Sequence, residues 1–316
     1  MFPAAVVPVR PANPTASAPS TSAPSTERPA PPTEPRPQLF KARPSRQMVD
    51  EIKGKYWRLL AESHKPAAWE ALDRGYSEAH RAYHTWRHIA ELLGKLDEFH
   101  ALSAKPALIA TAVFWHDAVY VTHRPDGGRR PDVENVRDSA GLFRQHTLLP
   151  AADADAVDEL IMATADHVRA TAKQHRYDGF ANDLDLFLDL DLSPLAAPAE
   201  TFAANLEIIR FEFARMPDAD FYSNQLRMLE SFLGADTRLF RRAETRTKWL
   251  KAATANLELC INDLRLRLSI ASCGSRRSRP ASPPLRLPRY HDALSTYCPS
   301  NQPAQNLAIL VKAKPV

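Results

Sequence analysis

The stretch "ALIATAVFWHDAVY", residues 107–120, carries the strongest structural signal in this sequence of 316 residues. The run from Ala107 to Trp115 contains no charge, which predicts a buried helix. His116 and Asp117 follow that run directly. Because an unpaired buried charge costs several kcal/mol, both side chains need partners. A metal ion suits a neutral imidazole and a carboxylate, and a structural His–Asp hydrogen bond is the alternative.

The same dipeptide occurs a second time, as His291–Asp292 in "RYHDALS". That copy lies in a Pro-rich stretch with no apolar run before it. We interpret it as a chance occurrence, so the context of the first copy carries the signal.

Apolar residues recur at spacings of three and four along most of the chain, and no long stretch alternates with a period of two. This pattern predicts an all-α domain of eight to ten helices in a packed bundle. Glycine is scarce, with nine residues in the chain, and Gly234 is a predicted helix end. The stripes are Ile52/Tyr56/Leu59/Leu60, Ile89/Leu92/Leu93/Leu96/Phe99, Val157/Leu160/Ile161/Thr164, Leu206/Ile209/Phe213, Leu226/Leu229/Phe232 and Trp249/Leu250/Ala253/Leu257/Cys260.

Composition separates this domain from the two ends of the chain. Of 27 prolines, 12 lie in residues 1–45 and seven lie after residue 270. Such segments lack the apolar surface to offset their ordering entropy, so we predict a disordered tail at 1–45 and a basic, disordered tail at 269–316. The helical domain is predicted at 46–268.

The charge distribution argues against nucleic-acid binding by the folded domain. Residues 1–45 carry a net charge of +3 and residues 271–316 carry +6, which leaves −5 for the rest of a chain whose total is +4. A nucleic-acid-binding domain would place its positive charge on the folded face. The sequence also contains no apolar run long enough for a membrane span and no secretory signal pattern, so a cytoplasmic location is expected.

Cysteine usage excludes two further classes of protein. The chain has three cysteines, at positions 260, 273 and 298. An odd number without CxxC spacing supports neither a disulfide framework nor a zinc finger.

Two further polar clusters interrupt the predicted helices. In "RAYHTWRHI", residues 81–89, a helix that starts near Tyr83 would place His84 and His88 on one face. The alternative is a helix turn with two solvated imidazoles. In "NDLDLFLDLDLSPL", residues 182–195, four aspartates alternate with apolar residues. Some of these carboxylates must lie beside the core and at least one faces a cation, unless the segment is an acidic helix end with a capped turn.

Histidine, then His-Asp, then a distant aspartate on separate helices resembles the signature of the HD-domain metal-dependent phosphohydrolase superfamily. The resemblance spans roughly residues 46–265 and is greatest to a subfamily of predicted HD phosphohydrolases. Its motifs occur here in order as "YHTWRHI", "FWHDAVY", "VENVRDSA", "MATADH" and "LDLDLS". The third motif has its Asn and Glu in reversed order. "YHTWRHI" is also similar to a "YHNWRHA" stretch of cyclic nucleotide phosphodiesterases.

The resemblance implies an HD-type helical bundle with a divalent metal ion. It implies His88, His116, Asp117 and Asp191 as metal ligands, with Asp189 the near alternative to Asp191. Two imidazoles and two carboxylates suit Mn²⁺, Fe²⁺, Co²⁺, Ni²⁺ or Zn²⁺ better than Ca²⁺.

Further residues complete the expected site. The resemblance implies that His84 faces the substrate, and either His84 or Glu134 is expected to handle the proton. A second metal ion or a phosphate contact is expected from His167, Asp189, Arg81 or Arg210. For His167 the alternative is a hydrogen-bonded core residue, and for the two arginines it is a solvated helix side chain.

These features together favour metal-assisted hydrolysis of a small phosphorylated substrate, such as a phosphate ester or a nucleotide. No GxxxxGK[ST] loop is present, which disfavours P-loop phosphoryl transfer. Two other functions stay open at the level of sequence. One is an HD-type di-iron oxygenase, which needs additional histidine ligands. The other is a non-catalytic HD module that binds a nucleotide or a partner.

Overall fold

The computed structural model describes residues 44–274, and these residues form an all-α structure. The described part contains two isolated β-bridges, His64 with Thr147 and His123 with Arg129, and no sheet. The predicted fold class is therefore confirmed. The predicted tails lie almost entirely outside the described residues, as does the His291–Asp292 copy.

Eleven α-helical segments make up the described chain, and the first two are joined through a π-helical turn at Lys53–Trp57. They are α1 (Arg46–Ile52), α2 (Arg58–Leu60), α3 (Ala68–Tyr76), α4 (Trp86–Phe99), α5 (Pro106–Trp115), α6 (Asp132–His146), α7 (Ala151–Ala163), α8 (Phe180–Leu192), α9 (Ala199–Glu212), α10 (Asp218–Gly234) and α11 (Ala243–Gly274).

Both predicted domain boundaries lie at helices. Helix α1 begins at Arg46, where the side chain of Ser45 accepts a hydrogen bond from the Met48 backbone N–H. Helix α11 runs through the predicted boundary at 268 and ends at Gly274. The predicted boundary at 268 therefore lies inside α11.

Helix α5 lies at the centre of the bundle, as its uncharged sequence predicts. Nine of its ten residues are buried. The helices α4, α6, α7 and α8 all pack against it. The end of α5 therefore lies inside the protein, and the two ionisable residues that follow it begin next to the core.

Aromatic side chains fix α3 and α4 against α5. The Trp69 and Trp86 rings stack with their centroids 4.8 Å apart, and Trp86 Nε1 donates to Asp73 at 2.9 Å. The Tyr76 hydroxyl donates to the Phe114 carbonyl at 2.9 Å. Because each buried polar tip has a partner, these large rings pack without the cost of an unsatisfied donor.

None of the helices in the described residues has the length and apolar character needed to cross a bilayer. The cytoplasmic location expected from the sequence stays a prediction.

The backbone just after α5 is held by two neighbours. The buried Arg81 side chain donates to the carbonyls of Asp117 at 2.6 Å and Ala118 at 2.9 Å. At the same Ala118 carbonyl, Gly75 of α3 approaches so closely that a Cβ there would lie 2.4 Å from the carbonyl oxygen. This close approach fixes the position of the preceding residue, Asp117.

We predict that Gly75→Ala destabilises the protein by about 1–3 kcal/mol, because the Ala118 carbonyl must move to admit a methyl group. Gly94→Ala is the matched control, since this exposed position in α4 has no heavy atom within 4 Å of the added Cβ. It should stabilise the helix by about 0.5–1 kcal/mol. Urea unfolding of both variants measures the difference, and equal effects would contradict the close-packing argument.

Candidate metal centre

The orientation of His116 follows from its place at the end of α5. Its backbone N–H completes the helix by donating to the Ala112 carbonyl, and its ring Nδ1 lies 3.0 Å from the Val113 carbonyl oxygen. A carbonyl only accepts hydrogen bonds, so Nδ1 carries the proton. In the neutral ring, Nε2 therefore has the free lone pair, which is the tautomer a metal ligand needs.

Four donor atoms converge beyond the end of α5. His116 Nε2 lies 3.3 Å from His88 Nε2 and 3.1 Å from Asp117 Oδ2. Asp191 Oδ1 of α8 lies 3.2 Å from His88 Nε2 and 3.5 Å from His116 Nε2. Within residues 44–274, His88, His116 and Asp117 form the one group of three such ligands with all donor atoms within 4.8 Å of one another.

These separations fit coordination of one cation. Metal–nitrogen and metal–oxygen bonds of about 2.0–2.2 Å place neighbouring donors roughly 3–3.6 Å apart in tetrahedral or octahedral geometry. Two neutral imidazoles with facing Nε2 lone pairs also repel unless a proton or a cation lies between them. His88, His116 and Asp117 therefore fit a metal ion, and Asp191 contacts the two histidines from α8.

The electrostatics of the cluster point the same way. Burial alone would raise the carboxylate pKa values, but the neighbouring histidines hold the pKa of Asp117 and Asp191 below the usual range. Burial alone would lower the pKa of His116, yet Asp117 and Asp191 raise it well above its ordinary value. Both carboxylates are thus ionised at neutral pH, and the site favours positive charge.

The His88 ring is held less completely than the His116 ring. Its Nδ1 is buried and has no hydrogen-bond partner in the described part of the chain. The neighbouring Tyr83 ring packs against it at a centroid distance of 5.3 Å. Packing, rather than a hydrogen bond, therefore sets the orientation of this ring.

His84 lies beside the cluster, although not on a helix as the sequence predicted. Helix α4 begins at Trp86 after a Thr85 cap, so the predicted start near Tyr83 is wrong. Thr85 side-chain capping ends the preceding turn and excludes His84 from the helix. The His84 and His88 rings still lie 6.1 Å apart between centroids, which tertiary contacts rather than helical spacing decide.

Glu212, at the end of α9, holds His84 and was missed by the sequence reasoning. One carboxylate oxygen, Oε1, accepts the backbone N–H groups of Ala82, Tyr83 and His84 at 2.7–3.0 Å. The other, Oε2, lies 2.6 Å from His84 Nδ1. The available signal was a carboxylate between two phenylalanines in "RFEFAR", on the apolar side of α9.

His84 and Glu212 each stabilise the charged form of the other. Burial alone would lower the pKa of His84, but the charges of Glu212 and Asp117 raise it. The His84 contact likewise outweighs burial and lowers the pKa of Glu212. Tyr120 stacks on the His84 ring at 3.8 Å between centroids and fixes its plane.

His167 also lies at the cluster. Its Nε2 is 2.7 Å from Asp191 Oδ2, so Asp191 contacts His88 and His116 through one oxygen and His167 through the other. Arg241 donates to the His167 carbonyl and to Asp185, which anchors the segment that carries His167. This arrangement is compatible with the expected second-ion or phosphate role of His167 and with a hydrogen-bonded role.

Asp189 is not a ligand, and the alternative it offered to Asp191 is wrong. Its carboxylate accepts the backbone N–H groups of Arg241 and Arg242 and the Thr245 hydroxyl. These bonds hold the two residues just before α11 and the Thr245 side chain in its first turn. Asp189 and Asp191 are two residues apart on α8, so their side chains point in different directions.

The two predicted phosphate-binding arginines have structural partners instead. Arg81 donates to Glu78 and to the backbone carbonyls that follow α5. Arg210 donates to the Phe213 and Met216 carbonyls and pairs with Asp218. Because these donors are already used, the expected phosphate role of Arg81 and Arg210 is not supported.

The predicted proton-handling role of Glu134 is also not supported. Glu134 pairs with Arg124 and Arg130, and no contact joins it to His84 or to the ligands.

We predict that Asp191→Asn and Asp189→Asn separate the two aspartates. Asp191→Asn should lose most of the bound metal, because a charged ligand becomes a neutral one. Asp189→Asn should keep its metal but lose about 1–3 kcal/mol of folding free energy, because an amide cannot accept all three hydrogen bonds. Elemental analysis and urea unfolding measure both effects. Metal loss in the Asp189 variant alone would reverse the assignment.

Metal binding should release about one proton per ion near neutral pH. The raised pKa of His116 means that the metal-free site holds a proton there, and a metal ligand must be unprotonated. Affinity should therefore fall as the pH decreases. Titration calorimetry in buffers of different ionisation enthalpy measures the proton count, and a count of zero would show that His116 is neutral before binding.

Comparison with known proteins identified no relative of this chain. The chain matches no protein-family model, no curated protein and no solved structure. The interpretation of the centre therefore depends on its residues and their contacts.

Proposed function

We propose that this protein is a metal-dependent phosphohydrolase of the HD superfamily, acting on a small phosphate ester or a nucleotide. The observation that carries the proposal is the convergence of three donor atoms on His116 Nε2. His88 Nε2, Asp117 Oδ2 and Asp191 Oδ1 lie 3.3, 3.1 and 3.5 Å from it. Two imidazoles and two carboxylates suit Mn²⁺, Fe²⁺, Co²⁺, Ni²⁺ or Zn²⁺.

When bound, such an ion supplies a water of lowered pKa, near ~7, and polarises a phosphoryl oxygen. The protein residues keep this chemistry in place. Arg81 and Gly75 fix the Asp117 backbone, and the Val113 carbonyl fixes the His116 tautomer. A buried, pre-organised cluster avoids reorganisation during the reaction.

His84 is the residue we assign to proton transfer. Glu212 occupies its Nδ1, which leaves Nε2 to exchange a proton. The raised pKa of His84 keeps that proton available near neutral pH, as a general acid for a leaving oxygen requires. Glu134, the other residue expected to handle the proton, pairs with Arg124, whereas Glu212 is the carboxylate that contacts His84.

A second candidate function is an HD-type di-iron oxygenase, and the contact between His167 and Asp191 favours it. A carboxylate with histidines at both oxygens has the form of a bridging ligand. Iron content together with oxygen-dependent activity would support this alternative. Metal-dependent release of phosphate from a panel of phosphate esters and nucleotides would support the hydrolase, and ligand binding without turnover would indicate a non-catalytic module.

We predict that His84→Ala and His88→Ala differ in kind. His88→Ala should lose metal and activity together, because a ligand is removed. His84→Ala should keep its metal while kcat falls about 10²–10⁴-fold, the usual contribution of a general acid. His175→Ala is the control, since this histidine is largely exposed and pairs only with Asp178. Equal metal loss in the first two variants would make His84 a ligand.

Glu212→Gln should also keep its metal, but its kcat should fall by at least about tenfold. Loss of the carboxylate charge lowers the pKa of His84, and the acid form of His84 exists only below that pKa. The alkaline limb of the kcat profile should therefore move to lower pH. An unchanged pH profile measured with the released phosphate would contradict the assigned proton donor.

A further inference from the structure

A second cleft, outside the metal centre, lies between the loop at 123–129 and the segment 215–227. Its volume is about 540 Å³, within the range of small-molecule sites. Its lining includes His123, Arg129, Arg215, Asp220 and Arg227. Three guanidinium groups against one carboxylate give this cleft a net positive charge, in a domain whose sequence is acidic as a whole.

The three cleft arginines differ from nearby arginines in their ion pairs. Arg124, Arg130 and Arg210 each pair with a carboxylate. In contrast, the structure of residues 44–274 gives no ion pair to any of the three cleft arginines, and all three are exposed. Arg227 donates to the neutral side chain of Asn224.

The charges in the cleft also act on one another. Partial burial and the nearby charge of Arg215 lower the pKa of His123. His123 Nδ1 lies 2.9 Å from the Thr122 hydroxyl, so its ring is oriented. A neutral histidine beside unpaired arginines offers hydrogen bonding without adding charge.

Hydrogen bonds to backbone groups hold both walls of the cleft in place. In one wall, His123 and Arg129 form a β-bridge around a turn in which Gly127 has a φ of 85°. In the other, Arg210 holds the Phe213 and Met216 carbonyls. The Thr122 hydroxyl donates to the Glu212 carbonyl at 3.1 Å and joins the two walls. The cleft is therefore formed before any ligand arrives.

We propose that this cleft binds a small molecule with two or more linked phosphate groups, such as the oligophosphate part of a nucleotide. Guanidinium groups match phosphate oxygens in pairs, and several unpaired ones in a preformed cleft favour a multiply charged anion. The proposal is independent of the hydrolase function and stands or falls on binding alone.

The test is titration calorimetry of the full chain with tripolyphosphate at low ionic strength. We expect binding that weakens about tenfold in Arg215→Ala and in Arg129→Ala, the loss of one charge-assisted contact each. Arg58→Ala is the matched control, because Arg58 is also exposed and lies in α2, away from the cleft lining. Absence of binding, or unchanged binding in the double variant Arg129→Ala/Arg215→Ala, overturns the proposal.

A variant expected to bind tripolyphosphate more tightly distinguishes a lost contact from a loss of binding through damage to the fold. Asp220→Asn removes the one carboxylate in the cleft lining and should tighten tripolyphosphate binding several-fold. Asp178→Asn makes the same change of net charge at a fully exposed position and should leave binding unchanged. Equal gains in the two variants would show that net charge, not the cleft, attracts the anion and would overturn the proposal.

Discussion

The cost of bringing four ionisable side chains together inside a helical bundle governs the rest of this structure. Each buried ion loses several kcal/mol of hydration, which only close and well-oriented partners repay. The partners here come from two helices, α4 and α8, and from the two residues after α5, and their relative positions must be correct to a fraction of an ångström. The Arg81 contacts with the Asp117 and Ala118 carbonyls and the close approach of Gly75 supply that precision.

Helix α8 shows how one acidic segment can serve several purposes. Asp183 accepts the N–H groups just before α5, Asp185 pairs with Arg241, and Asp189 accepts those just before α11. Of these four aspartates, Asp191 is the one that contacts His88 and His116. Three of the four carboxylates therefore position helices, and these helices in turn position the fourth. Leucine and phenylalanine occupy the positions between them and bury α8 in the core.

Glu212, the last residue of α9, holds several other segments in place. Glu212 holds the turn at Ala82–His84 through three backbone N–H groups and holds the His84 ring through its other oxygen. The Glu212 carbonyl also accepts from Thr122, next to the cationic cleft. Glu212 thus contacts both the proposed proton donor and a residue beside the cleft.

The sequence by itself determined the helical class and the burial of α5, because apolar periodicity and an uncharged run indicate burial directly. The resemblance of its ordered motifs to a known superfamily predicted that His88, His116 and Asp117 meet one of two aspartates, Asp191 or Asp189. Tertiary structure alone decided which of Asp189 and Asp191 reaches the ligands, that His84 lies before α4, and that Arg81, Arg210 and Glu134 have structural partners. It also decided that Glu212, 128 residues from His84, is its support. The physical reason is that hydrogen bonds between distant segments leave no periodic trace in the sequence, so only the packed chain shows which donor meets which acceptor.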